Sequence, residues 1–112
     1  MTNEKALVAL ADPTRQKILA ALGGRALTVG DLAGRLPVSR PAVSQHLKVL
    51  RAAGWVAERR QGTRHYFAVN AATALALRNH FESMWQVAMT AFAAHVAVEE
   101  ARRDDTPRKR RR

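Results

Sequence analysis

The 112-residue chain contains no cysteine. Disulfides, thiolate metal centres and thiol redox sensing are therefore excluded for it. Aromatic residues are scarce, with three Phe, two Trp and one Tyr, so the core must be built mostly from aliphatic side chains. No run approaches the ~20 apolar residues that a bilayer-spanning helix needs. The first ten residues carry Glu4 and Lys5 where a secretory leader would have an apolar stretch. A cytoplasmic protein with no membrane partner is expected. Catalytic equipment is missing too: there is no thiol nucleophile, no glycine-rich phosphate loop and no His/carboxylate cluster with an orienting partner. The reading is therefore a non-enzyme without a cofactor.

Acidic residues are also few, 9 against 19 basic ones, for a net charge of +10. Seven of the basic groups and two of the acidic ones fall in residues 102–112, so the remainder keeps an excess of five positive charges. Such an excess fits a polyanion, nucleic acid ahead of an anionic membrane surface. The length fits one domain, placed at residues 1–101. Residues 102–112 read as a disordered basic tail. That tail would either add phosphate contacts or serve only as a solubilising end.

Helix signals fill the first half of the chain. Residues 4–11 are apolar and helix-favouring. Asp12-Pro13 starts a second helix, with the carboxylate capping free amides and Pro at a position where no donor is lost. Ile18, Leu19 and Leu22 line one face, and Gly23-Gly24 stops it. Thr28 with Asp31 three residues on resembles a capping box for a third helix, ended by Pro37. Ser39 caps a fourth helix, with Pro41 in its first turn and Val43, Leu47 and Leu50 at buried spacing. Gly54 ends it. Residues 55–60 and 64–69 have strand features and flank the short Gly-containing turn Gln61-Gly62-Thr63, giving a β-hairpin. Asn70 caps a last helix over about 71–101.

Two short helices and a tight turn followed by a basic hairpin define the expected fold: mainly α, about five helices, a winged helix-turn-helix acting as a dimer. The second helix of such a pair enters the major groove with its N-terminal residues at base edges. That places Ser39, Arg40, Pro41, Ser44, Gln45 and His46 at double-stranded DNA. Arg40 can donate twice to guanine or contact a phosphate, and Gln45 can pair with adenine. Lys48 and Arg51 suit phosphate. Arg59, Arg60, Thr63 and Arg64 at the hairpin tip suit the backbone or a minor groove. The rival from another class is a winged-helix protein-interaction module, since fold does not fix function.

The opening segment ALADPTR (9–15) with Ile18-Leu19, the central VSRPAVSQHLKVLRAAGWV (38–56) and the hairpin RRQGTRHY (59–66) resemble the ArsR/SmtB family of bacterial repressors, over roughly residues 4–99. The resemblance implies a homodimer whose interface lies on the first and last helices, here Leu7 and Leu10 with the last-helix stripe. It also implies operator binding, repression and an inducer of unknown identity. Metal-sensing members use Cys, or carboxylates and histidines on the last helix. Here His95 and Glu99 share a face but make only half a site, and His80 lies fifteen residues away, so no metal is expected. The Phe81-x-x-x-Trp85 pattern is similar to metal-independent members, often encoded beside START-like ligand-binding proteins.

On the last helix, Leu77, Phe81, Trp85, Ala88, Phe92 and Val96 recur at three- or four-residue spacing, as in a packing seam. Part of this stripe is expected to serve the chain's own core and the rest a second subunit. Met84, Trp85, Met89 and Phe92 are expected to pack as core or to line a small-molecule pocket.

Overall fold

The computed structural model describes residues 3–105, without the side chain of Asp105. Its elements run α1 (Asn3–Ala9), α2 (Pro13–Ala21), α3 (Val29–Arg35), α4 (Arg40–Ala52), β1 (Val56–Gln61), β2 (Arg64–Val69) and α5 (Ala71–Asp105). The caps are those the sequence signals. The Asp12 carboxylate accepts from the Arg15 amide at 3.0 Å. Thr28 and Asp31 form a reciprocal capping box, and the Ser39 hydroxyl accepts from the Ala42 amide at 3.3 Å. Each satisfies donors that a helix start leaves open.

Asp12 and Asp31 both have carboxyls held below their ordinary range. For Asp12 the Arg15 amide is the main cause, partly offset by burial, with the Thr14 amide and the charges of His46 and Arg15 adding to it. For Asp31 the amide and hydroxyl of Thr28 lead, again against burial, with Arg35 and Arg64 adding their charge. A folded-state value below the unfolded one means stabilisation at pH above the ordinary value of 3.8. That stabilisation is lost as pH falls through the lowered folded value. Asp12→Asn keeps a capping oxygen but no longer titrates. Thermal unfolding should therefore show a smaller loss of Tm between pH 5 and pH 3 for this variant than for wild type. Equal losses would mean Asp12 plays no part in the acid response.

The hairpin pairs antiparallel from Val56 with Val69 to Gln61 with Arg64. Gly62 sits at φ 64°, and no described non-glycine residue has positive φ. Positive φ at the first of two turn residues is the II′ arrangement, which matches strand twist and favours glycine. Gly54, at φ 85°, ends α4. An isolated bridge adds Leu27 to the edge of β2: its amide donates to the Phe67 carbonyl at 3.0 Å, and its carbonyl accepts from the Phe67 amide at 2.8 Å.

Two units make up the chain, one through Arg78 and one from Asn79 onward. In the first, Ile18, Leu22, Leu32, Val43, Leu47 and Leu50 are almost wholly buried, joined by Leu27, Trp55, Val56, Phe67 and Leu77. Trp55 closes this core, its indole N–H donating to the Ala6 carbonyl at 2.8 Å. The second unit is the remainder of α5, in which every residue from 81 to 95 is exposed. The expected span 1–101 thus covers both units, and the stripe past Leu77 lies outside the buried core.

The helix also continues past the expected end at 101, to Asp105. Arg102 and Arg103 are good helix formers favoured near a C-terminus, and Arg102 donates to the Glu99 carboxylate at 3.4 Å. Residues 102–105 are thus helical rather than tail, and residues 106–112 of the proposed tail lie outside the described residues. No described helix is long and apolar enough to cross a membrane.

Candidate nucleic-acid interface

Helix α4 divides cleanly. Val43, Leu47 and Leu50 bury one side in the core, while Ser39, Arg40, Pro41, Ser44, Gln45 and Lys48 are all exposed. Because the buried residues recur at three and four positions, the polar ones fall together on the outer face. The N-terminal turn of α4 therefore presents hydroxyl, guanidinium and carboxamide groups to solvent.

His46 departs from this set. It is half-buried, with its ring Nδ1 3.9 Å from the Asp12 carboxylate at the start of α2. Its place among the expected base contacts is therefore less direct than that of its neighbours Ser44 and Gln45. Arg40 leans back over α3: a Cβ added at Gly30 would lie 3.1 Å from its guanidinium. Gly30, which the sequence reading passed over, gives that side chain its clearance.

Arg40 and Arg64 line one polar cleft of about 660 Å³ with Gly30, Asp31, Glu58 and His65. Arg64 of the wing thus borders the same cleft as Arg40 in the first turn of α4. Arg59, Arg60 and Thr63 are exposed as expected, but the strand register separates the first two. Arg60 lies opposite His65, on the sheet face of Glu58 and Phe67, whereas Arg59 lies opposite Tyr66 on the other face. Arg59 shares a shallow cavity with Arg25 and Ala68 instead. Arg51, read from sequence as a phosphate ligand, is engaged within the protein: it donates to the Glu58 carboxylate at 2.5 Å.

Comparison with known proteins places this geometry. A helix-turn-helix domain family matches residues 10–59. The HTH-type transcriptional regulator Rv2034 of Mycobacterium tuberculosis is 47% identical over 90 residues, spanning 80% of this chain and 84% of its own. A solved ArsR-like transcriptional regulator from Rhodococcus sp. RHA1 superposes with a TM-score of 0.76 at 30% identity, covering 86% of this chain and 91% of that one. The chain belongs to the ArsR/SmtB family. A further relative, the transcriptional repressor SdpR of Bacillus subtilis, is 40% identical over 62 residues, 55% of this chain and 69% of its own. This ArsR/SmtB-family chain is a helix-turn-helix DNA-binding transcriptional regulator, and these relatives are named as regulators rather than enzymes.

The surfaces expected at a family dimer interface divide unevenly. Phe81, Trp85, Ala88 and Phe92 are exposed, Trp85 by 61% and Phe92 by 60%, while Val96 is half-buried. Met84 and Met89 are exposed as well, so within one chain these residues form neither core nor enclosed pocket. On α1, Leu7 and Leu10 are partly buried against the core. The outward apolar residue there is Val8, 65% exposed, which the sequence reading missed. Among the described residues no group of three or more His, Cys, Asp or Glu is placed to hold a metal ion.

Proposed function

We propose that this ArsR/SmtB-family regulator represses transcription as a homodimer, reading a palindromic operator with the segment 39–53 and steadying it with the wing 55–69. The observation that carries this reading is the bare N-terminal face of α4. Ser39, Arg40, Ser44 and Gln45 are exposed together, with Arg64 in the same cleft as Arg40. Two such faces about one helical turn apart, ~34–36 Å, suit a two-fold operator. The apolar stripe of α5 supports the second subunit, because large exposed apolar surface marks partner sites. A repressive role follows the relative named as a repressor.

The test is binding to a duplex taken from upstream of its own coding sequence, in competition with scrambled DNA. Equal affinity for both would sink the reading of a specific regulator. Arg40→Ala and Gln45→Ala should each lower discrimination at their positions by about 1–3 kcal/mol per contacted base. Arg64→Ala should instead weaken binding to all sequences and reduce the salt slope by about one. Unchanged base preference in the α4 variants would remove these residues from the reading face.

A further inference from the structure

Between Asp31 and Glu82 the chain carries a single acidic residue, Glu58. It lies on the wing, on the side of the molecule that the proposed function gives to DNA. A carboxylate there opposes phosphate, so affinity alone does not account for it. Its two oxygens serve different elements. Oε1 accepts from the Arg51 guanidinium, in the last turn of α4, at 2.5 Å. Oε2 meets Nδ1 of His65 on β2. The side chain itself is largely covered, with 20% exposure against 60% for Arg51. Lys48 and Phe67 line the same small cavity as Glu58 and Arg51.

We propose that Glu58 is a positioning residue for DNA recognition, fastening the wing to the end of the reading helix and withholding Arg51 from the phosphate backbone. The consequence is selectivity rather than affinity. An arginine free at the end of α4 would strengthen binding to every sequence alike, because phosphate contacts carry no base information. Held by Glu58, that cation adds nothing to non-specific binding. The same carboxylate keeps β1, β2 and α4 in a fixed relation, so that the cleft shared by Arg40 and Arg64 holds its shape. This inference rests on the proposed placement of DNA on the α4 face.

The experiment uses the full chain, wild type and the variants Glu58→Gln, Arg51→Gln and the pair. Fluorescence anisotropy would measure binding to a duplex selected from a random pool by the wild-type protein, and to a scrambled duplex, from 50 to 200 mM salt. Glu58→Gln should tighten binding to scrambled DNA, narrow the preference for the selected duplex and steepen the salt slope by about one. One added phosphate contact corresponds to a further loss of about 3.5-fold across that salt range. Arg51→Gln alone should leave the slope as in wild type, and in the Glu58→Gln background it should remove the added unit. A wild-type slope and preference in Glu58→Gln would overturn the proposal. So would a full-unit loss of slope in Arg51→Gln alone, which needs no second variant to be read. If Arg64→Ala instead left the slope untouched and no duplex were selected by the wild type, the placement of DNA itself would fall, and the proposal with it.

Discussion

Replacing Trp85 and Phe92 together by glutamate should leave the protein monomeric at micromolar concentration and weaken its hold on a palindromic operator by about 10²- to 10⁴-fold. The second figure is the gain that joining two half-site binders supplies. The first follows from area and symmetry. Burying a side chain like Phe or Trp contributes ~1.5–3 kcal/mol, and a two-fold interface counts each residue twice. In the proposed homodimer, Phe81, Trp85 and Phe92 from two subunits would supply roughly 9–18 kcal/mol, against an association cost of about 4–15 kcal/mol. The surplus is small, so losing four of the six aromatic contributions and adding four carboxylates to the face reverses the balance. Both residues lie in the unit beginning at Asn79 and neither belongs to the buried core. The variant should therefore unfold as the wild-type winged-helix unit does. Sedimentation equilibrium checks the oligomer and anisotropy the binding. A variant that stayed dimeric would send the interface elsewhere, with Val8 on α1 the next surface to examine.

The fold was legible where its determinants are local. Asp12-Pro13, the Thr28/Asp31 pair, Ser39 and Gly54 each act on backbone groups within four residues, so their roles can be read along the chain. The Gly-containing turn at 61–63 between Val56–Gln61 and Arg64–Val69 is likewise a local signal. What escaped the sequence depends on residues far apart. The Leu27–Phe67 bridge and the Trp55–Ala6 bond join segments forty or more positions distant. Gly30 matters only because Arg40 is folded back on it. The end of α5 was misplaced because the charges from Arg102 onward suggest a solvated tail, whereas arginine also prolongs helices.

The candidate site shows the same division. The exposed face of α4 follows from the burial of Val43, Leu47 and Leu50, so Arg40, Ser44 and Gln45 could be found by spacing alone. The wing could not be treated that way. Arg59, Arg60 and Arg64 form one basic cluster in sequence, yet strand register sets Arg59 and Arg60 on opposite faces. His46 is polar and sits among the proposed reading residues, but the helical twist turns it toward Asp12. Glu58 carries a sequence signal of its own: a lone acidic residue in a basic stretch points to nearby cations, and Glu58 faces Arg51 and His65.

Trp55→Ala should cost about 3–5 kcal/mol, the range for removing a buried Trp or Phe from a core. Small domains have only about 5–15 kcal/mol in total, so this variant should be largely unfolded at 37 °C or melt far below wild type. Trp55→Phe separates the two things the indole does. It keeps most of the apolar volume but leaves the Ala6 carbonyl without its buried donor, a loss of about 1–3 kcal/mol. At roughly 4–8 °C per kcal/mol for a domain of this size, Tm should fall by several degrees while the winged-helix unit still folds. The asymmetry matters for function, because Trp55 lies directly ahead of β1 and its carbonyl accepts from the Asn70 amide at 2.8 Å. Ala6, Trp55 and Asn70 thus connect α1, the wing and the start of α5 through one residue. In Trp55→Phe, the α1 end is released while the Asn70 bond to the backbone remains. Hydrogen exchange should then show faster exchange at α1 amides and near wild-type protection in β1 and β2. Equal acceleration in all three would mean that the indole N–H holds the whole unit rather than α1 alone.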